Sequence, residues 1–170
     1  MRGVWGKCQS GFRRSLRGPK GGKMRGIAIL GMVLAAGTAA AGDWESPARG
    51  SQLRGDLLDA LRPMVEWQLG APVEFVVTEM RVKGDHAFAT LVPQRPGGGK
   101  IDMARTPMVA REEFDPELAE GGDHVEALWV KSGRQWVAVH HAVGATDVWY
   151  SWEPICATFR DVIPEACGGR

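Results

Sequence analysis

Residues 42–170 predict a single α+β domain: an N-terminal amphipathic helix packed on an antiparallel sheet of four to five strands, followed by a short disulfide-tied C-terminal helix. Three observations carry this. Apolar residues recur at helical spacing over residues 53–69. Two pairs of strand-like runs follow, each joined by a short turn. Both cysteines of this region, Cys156 and Cys167, fall close to the C-terminus.

Taking the elements in order, Ser46-Pro47 has the chemistry of a helix start, with Ser as cap and Pro in the first turn. Leu53, Leu57, Leu61 and Val65 then form one apolar stripe, flanked by Leu58 and Leu69, while Arg54, Asp59, Arg62 and Glu66 face away. Pro63 lies inside this pattern and predicts a kink or restart. Gly70-Ala71-Pro72 ends the helix. The run VEFVVTEMRV (73–82) is rich in β-branched and aromatic residues, Lys83-Gly84-Asp85 supplies a turn, and HAFATLV (86–92) completes an antiparallel hairpin.

The loop PQRPGGGK that follows has glycines but neither the Walker spacing nor a Ser/Thr after Lys100, so it reads as a turn rather than a phosphate cradle. Residues 101–105 suggest a short strand and residues 107–113 a helical turn, before the acidic FDPELAEGGD. A second hairpin spans residues 124–130 and 135–143. Ser151 as cap and Pro154 in the first turn open the closing helix, whose stripe is Ile155, Phe159 and Val162 and whose stop is Pro164. One helix covers only one face of such a sheet; the other face is apolar enough to need a cover or a partner.

The near-neutral total charge hides an asymmetry. Residues 1–42 hold eight of the 21 Lys/Arg and no acid, which leaves 13 basic residues against all 20 Asp/Glu in residues 43–170, a net charge of −7. That balance argues against a nucleic-acid partner, which needs a basic footprint. Met24-Arg25, an apolar run over residues 27–36 and the small residues Ala39-Ala40-Ala41 follow the order of a secretory signal peptide, with cleavage expected after Ala41. The apolar run is shorter than the ~20 residues of a spanning helix, so no stable membrane span is expected once the signal is removed. Residues 1–41 are therefore read as an N-terminal extension plus cleaved signal, with Met24 as the expected initiator, and the mature chain as periplasmic or secreted. The oxidising compartment favours a Cys156–Cys167 disulfide, whose loop closure contributes about 3 kcal/mol in the chain-entropy model. A zinc site would pair its cysteines more closely.

The chemistry-bearing stretch is HHAVGATDVWYSW, residues 140–152. Simple strand alternation puts Trp136, Ala138, His140 and Ala142 on one face and Val137, Val139, His141 and Val143 on the other. Adjacent strand histidines cannot share one metal, and no H-E-x-x-H or G-x-S-x-G pattern is present. Neither a metal nor a cofactor is expected. Asp147 reads either as a turn residue accepting backbone N–H groups, or as one wall of a pocket with His140 or His141 and with Trp149 and Trp152. Those five residues are the candidate binding set.

The segments LLDALRPMVE, PVEFVVTEMRVKGDHAFATLVPQRPGG and ALWVKSGRQWVAVHHAVGATDVW resemble small exported bacterial proteins of uncharacterised function over most of residues 42–170. The resemblance implies export and these boundaries, and no activity. The helix-then-meander layout is also similar to cystatin-like and NTF2-like α+β rolls, which host inhibitors, binding modules and some enzymes. The expected function is an exported binding or interaction domain for an unknown small molecule or protein, without catalysis of its own. The alternative is a hydrolase or isomerase with a histidine general base beside Asp147.

Overall fold

The structure, a computed structural model, describes residues 43–117 and 124–168. The expected signal segment, its cleavage point and the Met24 start lie outside the described residues. The architecture is α+β, as the sequence predicts, with four strands among the described residues.

Helix α1 runs Gln52–Leu69 and buries Leu57, Leu61, Val65 and Leu69. Its cap is Ser51, not Ser46: the Ser51 hydroxyl accepts the Arg54 N–H at 3.3 Å. Gly50, at φ 80°, turns the chain just before this cap in a conformation that no helix starting at Ser46 could contain. The helix continues through Pro63 without a restart. Pro63 and Asp59, whose carbonyl it leaves without a partner, are both exposed, so water can serve that carbonyl. At the other end Gly70 leaves the helix at φ 80°, and Arg95 caps the freed carbonyls, donating to Leu69 O at 2.9 Å, Pro72 O at 3.0 Å and Gly70 O. This is what the glycine-rich loop does. Gly97 and Gly98, at φ 79° and 87°, close a tight turn in which Arg95 N–H meets Gly99 O at 2.7 Å, so the arginine points back at α1.

Strands β1 (Glu74–Lys83) and β2 (His86–Gln94) form the first hairpin. The region after it contains a 3₁₀ turn, Met103–Arg105, in place of the expected strand, then the short helix α2, Pro107–Ala110. The Thr106 hydroxyl donates to Met103 O at 2.8 Å and Pro107 sits in the first turn of α2, so local bonds coil a segment whose composition alone suggested extension. Strands β3 (Val125–Ser132) and β4 (Gln135–Val143) complete an antiparallel sheet in the order β1-β2-β3-β4.

One face of the sheet meets α1. Its core is Met80 and Val82 from β1, Ala87, Ala89 and Leu91 from β2, Val125, Ala127 and Trp129 from β3, and Trp136, Ala138 and Val143 from β4. Trp129 is fully buried, and its register partners on both sides, Ala87 and Ala138, are small enough to leave room for the indole.

Much of the opposite face is covered by the chain's own C-terminal segment, a 3₁₀ turn at Trp149–Ser151, helix α3 (Glu153–Phe159) and the turns beyond it, while Val76, Val92 and Val137 on that face stay exposed. Ile155, Phe159, Val162 and Ile163 pack on Phe88 and Leu128. Trp152, not Ser151, occupies the cap position of α3, and no side-chain hydrogen bond closes it. The helix ends at Phe159, before Pro164. The Cys156–Cys167 disulfide is formed, with Cα atoms 5.4 Å apart, and ties α3 to the tail.

Candidate functional site

A bulge in β4 decides where the histidines go. Trp129 pairs with Ala138 and Leu128 with His140, which leaves Val139 without a register partner. One extra residue inverts the alternation beyond it. The face assignments from simple alternation are thereby corrected: His141 joins Trp136, Ala138 and Val143 on the α1 side, while His140 moves to the face covered by α3. The two rings do lie on opposite faces, as their adjacency requires.

His141 is half-buried, with Nε2 2.9 Å from Gln68 Oε1 on α1. A ring that donates from Nε2 to this amide oxygen keeps a lone pair on Nδ1. Burial pushes the imidazole pKa down, so the ring is neutral near pH 7. It lines an open, largely apolar cleft of about 410 Å³ with Pro63, Met64, Trp67, Gln68 and Glu113. Trp67 stands 68% exposed on α1. It is nonetheless held in place: the Arg111 guanidinium lies 4.7 Å from the ring centroid and donates to the Trp67 carbonyl at 3.2 Å. Glu113 fixes Arg111 in turn through a bidentate pair at 2.7 and 2.8 Å. That hydrogen bond raises the Arg111 pKa and lowers that of Glu113, so both stay charged.

The other candidates lie elsewhere. His140 is exposed and sets its ring edge-on to Phe159, 6.2 Å between centroids, with His86 on the same phenyl ring at 5.3 Å. Asp147 is exposed and makes no side-chain hydrogen bond among the described residues. The turn it was expected to brace is formed instead by Gly144, at φ 65°, whose N–H donates to His124 O at 2.8 Å. Asp147 borders a separate shallow cleft with Phe114, Asp115 and Thr146, and that cleft shares Glu113 with the His141 cleft.

Trp149 is half-buried and donates from Nε1 to Glu126 Oε2 at 2.9 Å, closing the α3-side core. Burial raises the Glu126 pKa, against the opposing effect of this hydrogen bond. Trp152 is 66% exposed, and its backbone carbonyl accepts the Ile155 and Cys156 N–H groups of α3. The five candidates are thus distributed over both sheet faces, and only His141 lines the apolar cleft.

The residues that build the cleft with His141 were missed in the sequence. One signal was there: Trp67 interrupts the polar side of the α1 pattern, between Glu66 and Gln68, where a large aromatic has no core to enter. Arg111 and Glu113 gave none, because their contacts depend on where α2 docks. Among the described residues, no group of three or more His, Cys, Asp or Glu is placed to hold a metal ion. No helix among them is long and apolar enough to cross a membrane. Comparison of the chain with protein-family models, curated proteins and solved structures finds no match.

Proposed function

We propose that residues 42–170 are an exported binding domain that takes a flat, largely apolar group in the cleft between Trp67 and His141. The observation that carries this is Trp67 itself. An indole so exposed forgoes burial worth roughly 1.5–3 kcal/mol, yet Arg111 orders it beside an apolar floor, as a preorganised stacking surface would be. With Nε2 donating to Gln68, His141 keeps one acceptor, Nδ1, for orienting a ligand N–H or O–H beside the cleft it lines.

Binding fits this geometry better than general-base catalysis. His141 is backed by a neutral amide, not by a carboxylate that would stabilise the imidazolium, and burial lowers its basicity further. Asp147 lies in the neighbouring cleft and cannot make up that difference.

Indole serves as the probe. Titrated into the exported protein, it is expected to shift the amide resonances of Met64, Trp67, Gln68 and His141. Trp67→Ala, a surface change that removes a cation–π contact worth about 0.5–1 kcal/mol, should weaken the response about tenfold. Undiminished shifts in that variant, or shifts confined to other residues, would remove the cleft from consideration.

Export is part of the same reading, supported by the signal-like order of residues 24–41 and by the disulfide. Intact-mass measurement on the protein recovered from the periplasm or medium should give an N-terminus at Gly42, within two residues, and a gain of two hydrogens on reduction. An uncut chain retained in the cytosol with free thiols would count against it.

A further inference from the structure

We infer that the cleft between α1 and the open half of edge strand β1 binds an extended acidic segment of a partner protein. Strand β1 lies at the edge of the sheet. Its far end is already occupied: Glu45 and Val82 exchange backbone hydrogen bonds at 2.8 Å in both directions. Its near end, from Glu74 to Val77, has no strand on its outer side among the described residues, and there the edge opens on a cleft of about 430 Å³. An unpaired strand edge is a template for one more strand.

The lining states what that strand should carry. Arg49, Arg54 and Arg62 line the cleft, and Glu74 is the one acid among its lining residues, although residues 43–170 as a whole are acidic. Arg62 is anchored, donating to Val73 O and to Asp59 at 3.3 Å, with its guanidinium 5.4 Å from the Phe75 ring centroid. The other two have donors to spare. Arg54 makes one long side-chain bond, 3.4 Å to Pro47 O, and Arg49 has no side-chain partner among the described residues. Guanidinium groups in this state favour carboxylates, which they hold through paired N–H donors. Leu58, Phe75 and Val77 supply apolar lining between the charges. A segment alternating acidic and apolar side chains fits this edge, because period-2 alternation sends its acids to the α1 side, where the arginines stand, and its apolar side chains to the other side of the sheet, beside the exposed, paired Val76 and Val92. A bare anion would use only the arginines.

A fluorescent octapeptide of alternating Asp and Val tests this on the exported protein, read by polarisation. Saturable binding that weakens with added salt is expected, with slowed amide exchange over residues 74–77 and no binding of the Lys/Val counterpart. Arg49→Glu, at an exposed residue without a partner, should weaken affinity at least about tenfold while leaving the thermal midpoint unchanged; Arg49→Ala with Arg54→Ala should do the same. Unchanged affinity in both variants overturns the proposal. So does equal binding of a peptide whose alternate residues are N-methylated, since that shows no strand is added. Full competition by millimolar inorganic phosphate, without slowed exchange along β1, reduces the site to an anion site and also overturns it.

Discussion

Trp129→Ala is expected to cost about 4–5 kcal/mol of folding stability, the largest effect of any single substitution considered. Truncating a buried tryptophan removes about 3–5 kcal/mol through lost transfer energy and the cavity left behind. Trp129 lies towards the upper part of that range because its surroundings cannot collapse: the facing residues on the neighbouring strands are Ala87 and Ala138, with no side chain long enough to swing into the space. A second loss adds to it. Trp129 Nε1 donates to the Leu57 carbonyl at 2.9 Å, a buried bond between β3 and the first half of α1, and its removal leaves that acceptor without the tryptophan donor. Trp129→Phe keeps much of the ring volume and loses the bond, so about 2 kcal/mol is expected there. Urea unfolding of the two variants checks both numbers. If Trp129→Ala lost less than about 2 kcal/mol, the view of a rigid alanine-walled slot would have to be abandoned. Domains of this size are stable by only about 5–15 kcal/mol, so the Ala variant should be partly unfolded under assay conditions if the parent lies at the lower end of that range.

The contrast between Trp129 and His141 shows what the sequence makes legible. The apolar stripe of α1, both hairpins and the cysteine pair follow from local periodicity, and the structure has them. So does the need for a second cover on the sheet; the chain meets it over Phe88 and Leu128 with α3 and the tail. Ser51 against Ser46 could be decided only by the left-handed Gly50, a conformation that glycine permits but does not announce. The histidine faces depended on a single unpaired residue, Val139, in a strand whose composition reads as regular. A bulge is set by cross-strand register, and register is a relation between strands that periodicity within one strand does not carry. The cleft is less legible still. It joins α1, the turn after α2 and β4, so its shape depends on three docking events. Among its residues only Trp67 betrays itself locally.

Arg81→Ala is expected to lose about 3–4 kcal/mol, and the reason lies in what the arginine holds. Arg81 projects from β1 on the face away from α1 and is almost wholly buried beneath the C-terminal segment. It donates to Val162 O at 3.0 Å and to Glu165 at 2.6 Å, with Glu79 on its Nε, and its guanidinium lies 4.6 and 5.6 Å from the Trp44 and Phe88 ring centroids. Burial opposes its charge; the hydrogen bonds and charges of Glu79 and Glu165 outweigh that, and the pKa goes up. Both carboxylates are substantially exposed, so the ion pairs contribute only about 1 kcal/mol. The remainder comes from losing the donor to Val162 O, about 1–2 kcal/mol, and from losing the cation–π contacts with their packing, about 1 kcal/mol. Glu165→Gln should therefore cost no more than about 1 kcal/mol, and 1 M NaCl should leave most of the Arg81 contribution intact. Val162 and Glu165 both lie inside the loop closed by Cys156–Cys167. The disulfide restricts the loop that Arg81 grips, so each should make the other more effective. Unfolding the parent and Arg81→Ala proteins, each with and without reductant, measures that coupling: the substitution should cost at least about 0.5 kcal/mol more in the oxidised protein. Strict additivity would mean that the two devices fasten the segment independently.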